Sequence, residues 1–213
     1  MAIARHQLTN SLTLARNIDI ARHELEASGR VSLPRRRAIW RAMYPDIETK
    51  QGRDVGHRRL VLLDILAVQR VMPLWRAVFP TDNSPASMLR IALDTAFDRT
   101  DPVLAEKTRD SLYVDIVENR SYAKGQETAM FVGHAAANTI TTAVFQGVPD
   151  ADAEIDDDDL DPEGFEPSML AAAAEAGGLP WSEATDRKIE RAFWDWYLGS
   201  AITRACEMTG NEV

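Results

Sequence analysis

"HRRLVLLDILAVQRVMPLWRAVFP", residues 57–80, decides the fold. Val61, Ile65, Val68, Met72, Trp75 and Phe79 recur at alternating steps of four and three, which is one stripe of an α-helix. Leu62, Leu66 and Val78 widen the stripe, so the spacing predicts a central, well-buried helix. Pro73 removes the hydrogen bond to the carbonyl of Gln69 and is expected to kink the helix; Pro80 stops it.

The flanking sequence has the same period. Residues 12–28 alternate with helical spacing and stop at Gly29. "SLPRRRAIWRAMYP" places a cap at Ser32, Pro34 in the first turn and a stop at Pro45. "NSPASMLRIALDTAFDR" starts a helix at Ser84 with Pro85 in its first position. Residues 102–119 and 125–146 predict two more. Residues 147–165 hold glycine, proline and a run of acids and predict a loop. A short alanine-rich helix over 166–176 ends at Gly177 and Gly178, and a last helix runs from about Ser182 to Met208. No strand pattern or internal repeat competes, so the expectation is one all-α domain, residues 1–213, of about eight helices.

Composition agrees. The 213 residues are 45% hydrophobic and 27% charged, enough for a core that needs no disulfide or metal. The one cysteine, Cys206, allows no disulfide within the chain and fits a reducing compartment. There is no signal-peptide pattern and no apolar run near the roughly 20 residues of a membrane span, so a cytoplasmic protein with no membrane partner is expected. Net charge is −9, unevenly spread: residues 1–60 carry twelve Lys/Arg and six Asp/Glu, leaving twelve and twenty-seven for the rest. Asp150 to Glu175 holds eleven acids and no base. Such a run is either a solvated loop, whose charges carry little stability, or a face for a cationic partner. The carboxylates that would form that face are Asp156, Asp157, Asp158, Asp159, Asp161 and Glu163.

Catalytic and metal signals are sparse. D-x-D-x-E-G from Asp159 resembles the front half of an EF-hand loop, but its ninth position is Pro167 and its twelfth, where a bidentate glutamate belongs, is Leu170. No metal or cofactor is expected. His6, His23, His57 and His134 do not cluster; Glu127 and His134, seven apart, share a helix face and could border an enzyme pocket, or His134 is a satisfied core histidine. Arg35, Arg36, Arg37 and Arg41 on one short helix suggest a DNA-binding regulator. Against that, the rest of the chain would repel phosphate, and pairing with the acids or solvation explains the arginines too. In "RAFWDWYLGSAI", Phe193, Trp196 and Tyr197 share a side while Trp194, four before Leu198, points elsewhere. The helix is wedged between neighbours, or Trp194 anchors a partner.

Three stretches in order, "LLDILAVQRVMPLWRAVFPTDNSPASML", "VGHAAANTITTA" and "AAAAEAGGLPWSEATDRKIERAFWDWYLGSAI", resemble the immunity protein 5 family of bacterial polymorphic-toxin loci. The matching features are Val71, Pro73 and Trp75; Phe79, Pro80 and Asp82; the small residue before His134; and Gly177, Gly178, Trp181 and the Arg191–Leu198 aromatic block. The resemblance covers roughly residues 58–208. It implies an all-α cytoplasmic protein without enzyme activity that binds a cognate toxin domain. It names neither the toxin nor the binding residues. A basic partner suits the acid run, and many toxins that act on nucleic acid carry basic sites; nucleic acid itself is not an expected partner.

Overall fold

A computed structural model describes residues 2–118, 123, 125–161, 164–208 and 210. The helices are α1 (Ala2–Ser28), α2 (Leu33–Ala42), α3 (Lys50–Val78), α4 (Ser84–Ala96), α5 (Pro102–Tyr113), α6 (Glu127–Val144), α7 (Pro167–Ala176), α8 (Arg187–Trp196) and α9 (Ile202–Glu207). A π-helical turn, Tyr197–Ala201, joins α8 to α9 in one rod, and counting that rod once gives eight helices. No strand occurs among the described residues.

The predicted stripe is the centre of the molecule. Every residue from Leu60 to Val68 is buried, as are Val71, Met72 and Trp75. A helix buried around its whole circumference must have neighbours on every side, and α3 packs on α4, α6, α7, α9 and the π turn. It starts seven residues before His57, because Thr49 caps it: the Thr49 hydroxyl accepts from Gly52 N at 3.1 Å. The helix continues through Pro73. Pro73 and Gln69 both lie on the exposed side, where water can take the carbonyl that loses its partner.

α6 lies against α3, α4, α5 and α7. Its buried face is built from Ala129, Gly133, Ala135, Ala136, Ala137 and Ala143, whose small side chains let the other helices come close. Gly133 sits at one close approach. A Cβ there would stand 2.9 Å from Ile116 Cγ2 and 3.1 Å from Trp75 Cζ3. Gly133→Ala would gain about 0.5–1 kcal/mol in helix propensity and lose about 1–3 kcal/mol to overpacking. The clash wins, so the urea midpoint should fall; a midpoint above wild type would mean that Trp75 yields freely.

One boundary and one capping bond depart from the sequence reading. The last helix begins at Arg187, because the Asp186 carboxylate accepts from Lys188 N and Ile189 N at 2.9 and 3.1 Å, while Ser182 closes a turn onto Ala184 N. α2 has Ser32 at its cap position, but that side chain makes no capping bond. The bond comes from elsewhere in the chain.

Candidate partner-binding surface

That bond comes from the acid run. Asp156 Oδ1 accepts from Leu33 N, the first residue of α2, at 3.0 Å. A carboxylate 123 residues away therefore caps α2 and meets the positive end of its dipole. The next residue reaches deeper. The Asp157 carboxylate accepts from Arg36 Nη1 and Nη2 at 3.0 and 2.5 Å, a bidentate pair. Arg36 is fully buried, its Nη1 also donates to Val31 O at 2.7 Å, and its guanidinium faces the rings of Trp40 and Trp194. Burial alone would lower the Arg36 pKa, but Asp157 outweighs it and holds the group charged, above its ordinary value.

The segment between α6 and this anchor runs over the arginine helix. The Tyr44 hydroxyl donates to Gly147 O at 3.3 Å, and Arg41 Nη1 stands 3.5 Å from Pro149 O. Asp150 Oδ1 accepts from Asp152 N, and the Asp157–Asp159 turn is closed by a capping box in which Asp159 Oδ2 accepts from Asp156 N. The loop is thus tied down at both ends.

These contacts sort the expected face. Asp156 and Asp157 hold the fold, and Asp157 is buried. Asp158, Asp159 and Asp161 are exposed, together with Asp150, Asp152 and Glu154 upstream. None of these six forms an ion pair among the described residues. Glu163 lies outside the described residues. Trp194 is 2% exposed, packed edge-on against Phe193 and Tyr197 and against the Arg36 guanidinium, so it is no surface anchor in the free protein. The aromatic helix is the wedged one: Phe193 and Tyr197 are buried, and Trp196 is covered by Arg70, which itself grips Glu175 at 2.6 and 2.7 Å. The expectation that the acid run carries little stability is also corrected, because Asp157 is the counter-charge of a buried arginine.

Arg36 is enclosed on Asp157, Arg35 lies 3.6 Å from Glu24, Arg37 is half-buried, and Arg41 Nη1 stands 3.5 Å from the Pro149 carbonyl oxygen. Glu127 is exposed and accepts from Gly125 N, while His134 is half-buried two turns on, edge-on to Tyr113. His57 is buried, with Nε2 3.1 Å from Thr142 O, and burial lowers its pKa. Among the described residues no three His, Cys, Asp or Glu are grouped to hold a metal ion, and no helix is long and apolar enough to cross a membrane. Leu170, at the twelfth position of the partial EF-hand pattern, is in the core.

The family model for Immunity protein Imm5 matches residues 18–204. The chain belongs to the Imm5 family. The match spans α1 to α9 and so includes both the arginine helix and the acidic segment as well as the core. No curated protein matches the chain. The Imm5 resemblance read from α3, α6 and the aromatic rod therefore names the right family, and it implies a toxin partner in general terms.

Beneath the surface lies a polar cluster that the sequence did not flag. Trp40 Nε1 donates to the Tyr197 hydroxyl at 2.8 Å, and Asp64 and Tyr197 share the interior with Arg36, with the half-buried Glu166 beside them. Burial, then the nearby Glu166, push the Asp64 carboxyl well above its ordinary range, while a bond from Thr142 pulls the other way. Burial pushes Glu166 up to about 7, against the pull of Arg36 and Arg37. The unfolded chain releases this proton near 4.5, so between pH 5 and 7 the folded state holds more protons. This group's contribution is complete below pH 4.5 and is lost as pH rises through 7. Glu166→Gln mimics the protonated form. Wild type should lose stability relative to that variant by on the order of 3 kcal/mol between pH 5 and pH 8 in urea titrations. Parallel profiles would show that Glu166 is already charged.

Proposed function

We propose that this protein is a cytoplasmic immunity protein, working as one helical domain, that neutralises a cognate basic toxin domain by direct contact and without catalysis or cofactor. The observation that carries the reading is the display of Asp150, Asp152, Glu154, Asp158, Asp159 and Asp161, exposed and unpaired among the described residues, on a segment anchored at both ends. A solvated tail would lose conformational entropy on docking, whereas this loop is largely ordered beforehand. Surface carboxylates raise the encounter rate with a cationic partner and can occupy its phosphate-binding site. Membership of the Imm5 family supports a toxin as that partner.

Co-expression with the cognate toxin domain tests it. Growth should be restored, and the two proteins should co-purify. Growth arrest despite soluble, folded protein, with no complex on size exclusion, would contradict the reading.

A further inference from the structure

α6 ends at Val144, and the chain turns to extended backbone at Phe145 instead of closing on a glycine cap. The Phe145 side chain is left 67% exposed. A lone exposed apolar side chain is ordinary, but Phe145 is not alone. It lines a groove of about 280 Å³ between α5 and α6 with Ile140, Thr141, Val144, Glu106 and Arg109. α5 runs antiparallel to α6, since Ile116, just beyond α5, meets Gly133 while Glu106 and Arg109 meet the end of α6. Val103, exposed one turn before Glu106, therefore stands level with Phe145 and extends the apolar strip.

The ring is held in place. It lies across the backbone of Gly147, where a Cβ would stand 2.4 Å from its Cζ, and Gly147 O accepts from the Tyr44 hydroxyl. Phe145 is thus fixed at the root of the acidic segment. Asp150, the first exposed carboxylate of that segment, is five residues on, at most about 17 Å along a fully extended chain. A standard interface covers about 800 Å² of each partner, a patch on the order of 30 Å across, so Phe145 and Asp150 fit within one such patch. The carboxylates alone leave part of the binding unexplained. Rim charges act mainly on the association rate, whereas a slow off-rate needs apolar surface, aromatic above all, taken out of water. The groove brings no opposing free charge. Arg109 Nη1 is met by Asp110 Oδ1 at 2.9 Å and its guanidinium covers the Tyr113 ring. Glu106 is exposed and forms no ion pair among the described residues. The rim therefore has the same sign as the acidic segment, which suits an apolar side chain carried on a basic surface.

We infer that Phe145, with Val103 and Val144 beside it, is the apolar anchor of the toxin interface, and that its groove takes an aliphatic or aromatic side chain from the basic surface of the toxin. This rests on the toxin-binding reading above. Within that face the acids recruit the partner and Phe145 retains it.

Association and dissociation kinetics with the cognate toxin domain test it. Phe145→Ser should raise the off-rate at least about tenfold and leave the low-salt association rate within about twofold of wild type. Gly147→Ala, which displaces the ring without removing it, should raise the off-rate too, while Phe145→Leu should keep most of the wild-type residence time. The thermal midpoint is checked for each variant and should stay near wild type for both changes at Phe145, a side chain largely in solvent. Hydroxyl-radical footprinting of the wild-type complex needs no variant: oxidation of Phe145 should fall sharply when the toxin domain binds. An off-rate unchanged by Phe145→Ser, or Phe145 oxidised equally in the free and bound states, overturns the anchor but leaves the immunity reading standing. Wild type that fails to bind the toxin domain at all sinks the toxin reading and the anchor with it. A dimer of the free protein that Phe145→Ser dissolves, seen by sedimentation velocity, would assign the patch to a second copy and overturn the inference as well.

Discussion

Asp157→Asn is expected to lower the unfolding free energy by roughly 3–5 kcal/mol, the cost of leaving a buried charge without its partner. Asparagine keeps the size and one acceptor but removes the counter-charge from Arg36, which is fully buried between two tryptophan rings. Domains of this kind have about 5–15 kcal/mol in total, so one exposed-looking aspartate would control a large share of it. The expectation can be separated from general disruption. Changing both partners, Arg36→Met with Asp157→Leu, should recover most of the loss, because an apolar pair of similar volume is often as stable as the ion pair it replaces. Urea denaturation of the two single variants and the double variant measures the coupling. A loss below about 1 kcal/mol for Asp157→Asn would mean that Arg36 is hydrated and that the acidic segment is not an anchor. The same reasoning decides how the acid face must be probed: neutralising Asp156 to Asp159 together would confuse unfolding with loss of binding.

Trp75→Ala is expected to cost a similar roughly 3–5 kcal/mol for a different reason, a cavity at the helix crossing. The Trp75 side chain is fully buried, its ring lies 4.6 Å from Phe79 between centroids, and it fills the notch left by Gly133. Its Nε1 also donates to Asp82 O at 2.8 Å, which ties the turn after α3 to the core, so truncation loses a hydrogen bond as well as contacts. A denaturation midpoint unchanged by Trp75→Ala would place the centre of the molecule elsewhere. A Trp75→Phe variant should recover much of the packing but not the bond to Asp82, and so fall between the two.

The core was legible because helical packing writes itself as a period. Val61, Ile65, Val68, Met72 and Trp75 could be assigned to one buried stripe from spacing alone, and all five are buried. Phe79, at the end of the stripe, is half-buried, since α3 has already ended there. The π turn at Tyr197–Ala201 was not legible, because one extra residue in a turn leaves aromatic spacing almost unchanged over so short a stretch. The surface was read only as blocks of charge. Nothing local distinguishes Asp157 from Asp158, yet one is buried on Arg36 and the other is in solvent. The distinction depends on a contact spanning 121 residues, and no periodicity carries such information. Trp194 failed for the converse reason: an aromatic off the main stripe looked like a surface anchor, whereas a buried guanidinium on its other side supplies the missing neighbour.

Stopped-flow association with the cognate toxin domain tests most directly whether the anchored acidic segment is the face that meets a basic toxin. The variant combines Asp150→Asn, Asp152→Asn, Glu154→Gln and Asp158→Asn and leaves Asp156 and Asp157 in place. The fold should be unaffected, since these four carboxylates form no ion pairs among the described residues and the two anchors are untouched. At low ionic strength the association rate should fall at least about tenfold. The difference should shrink towards 1 M salt, where the screening length is about 3 Å. Equal association rates for variant and wild type at low salt would contradict the account and move the toxin-binding face away from the acidic segment.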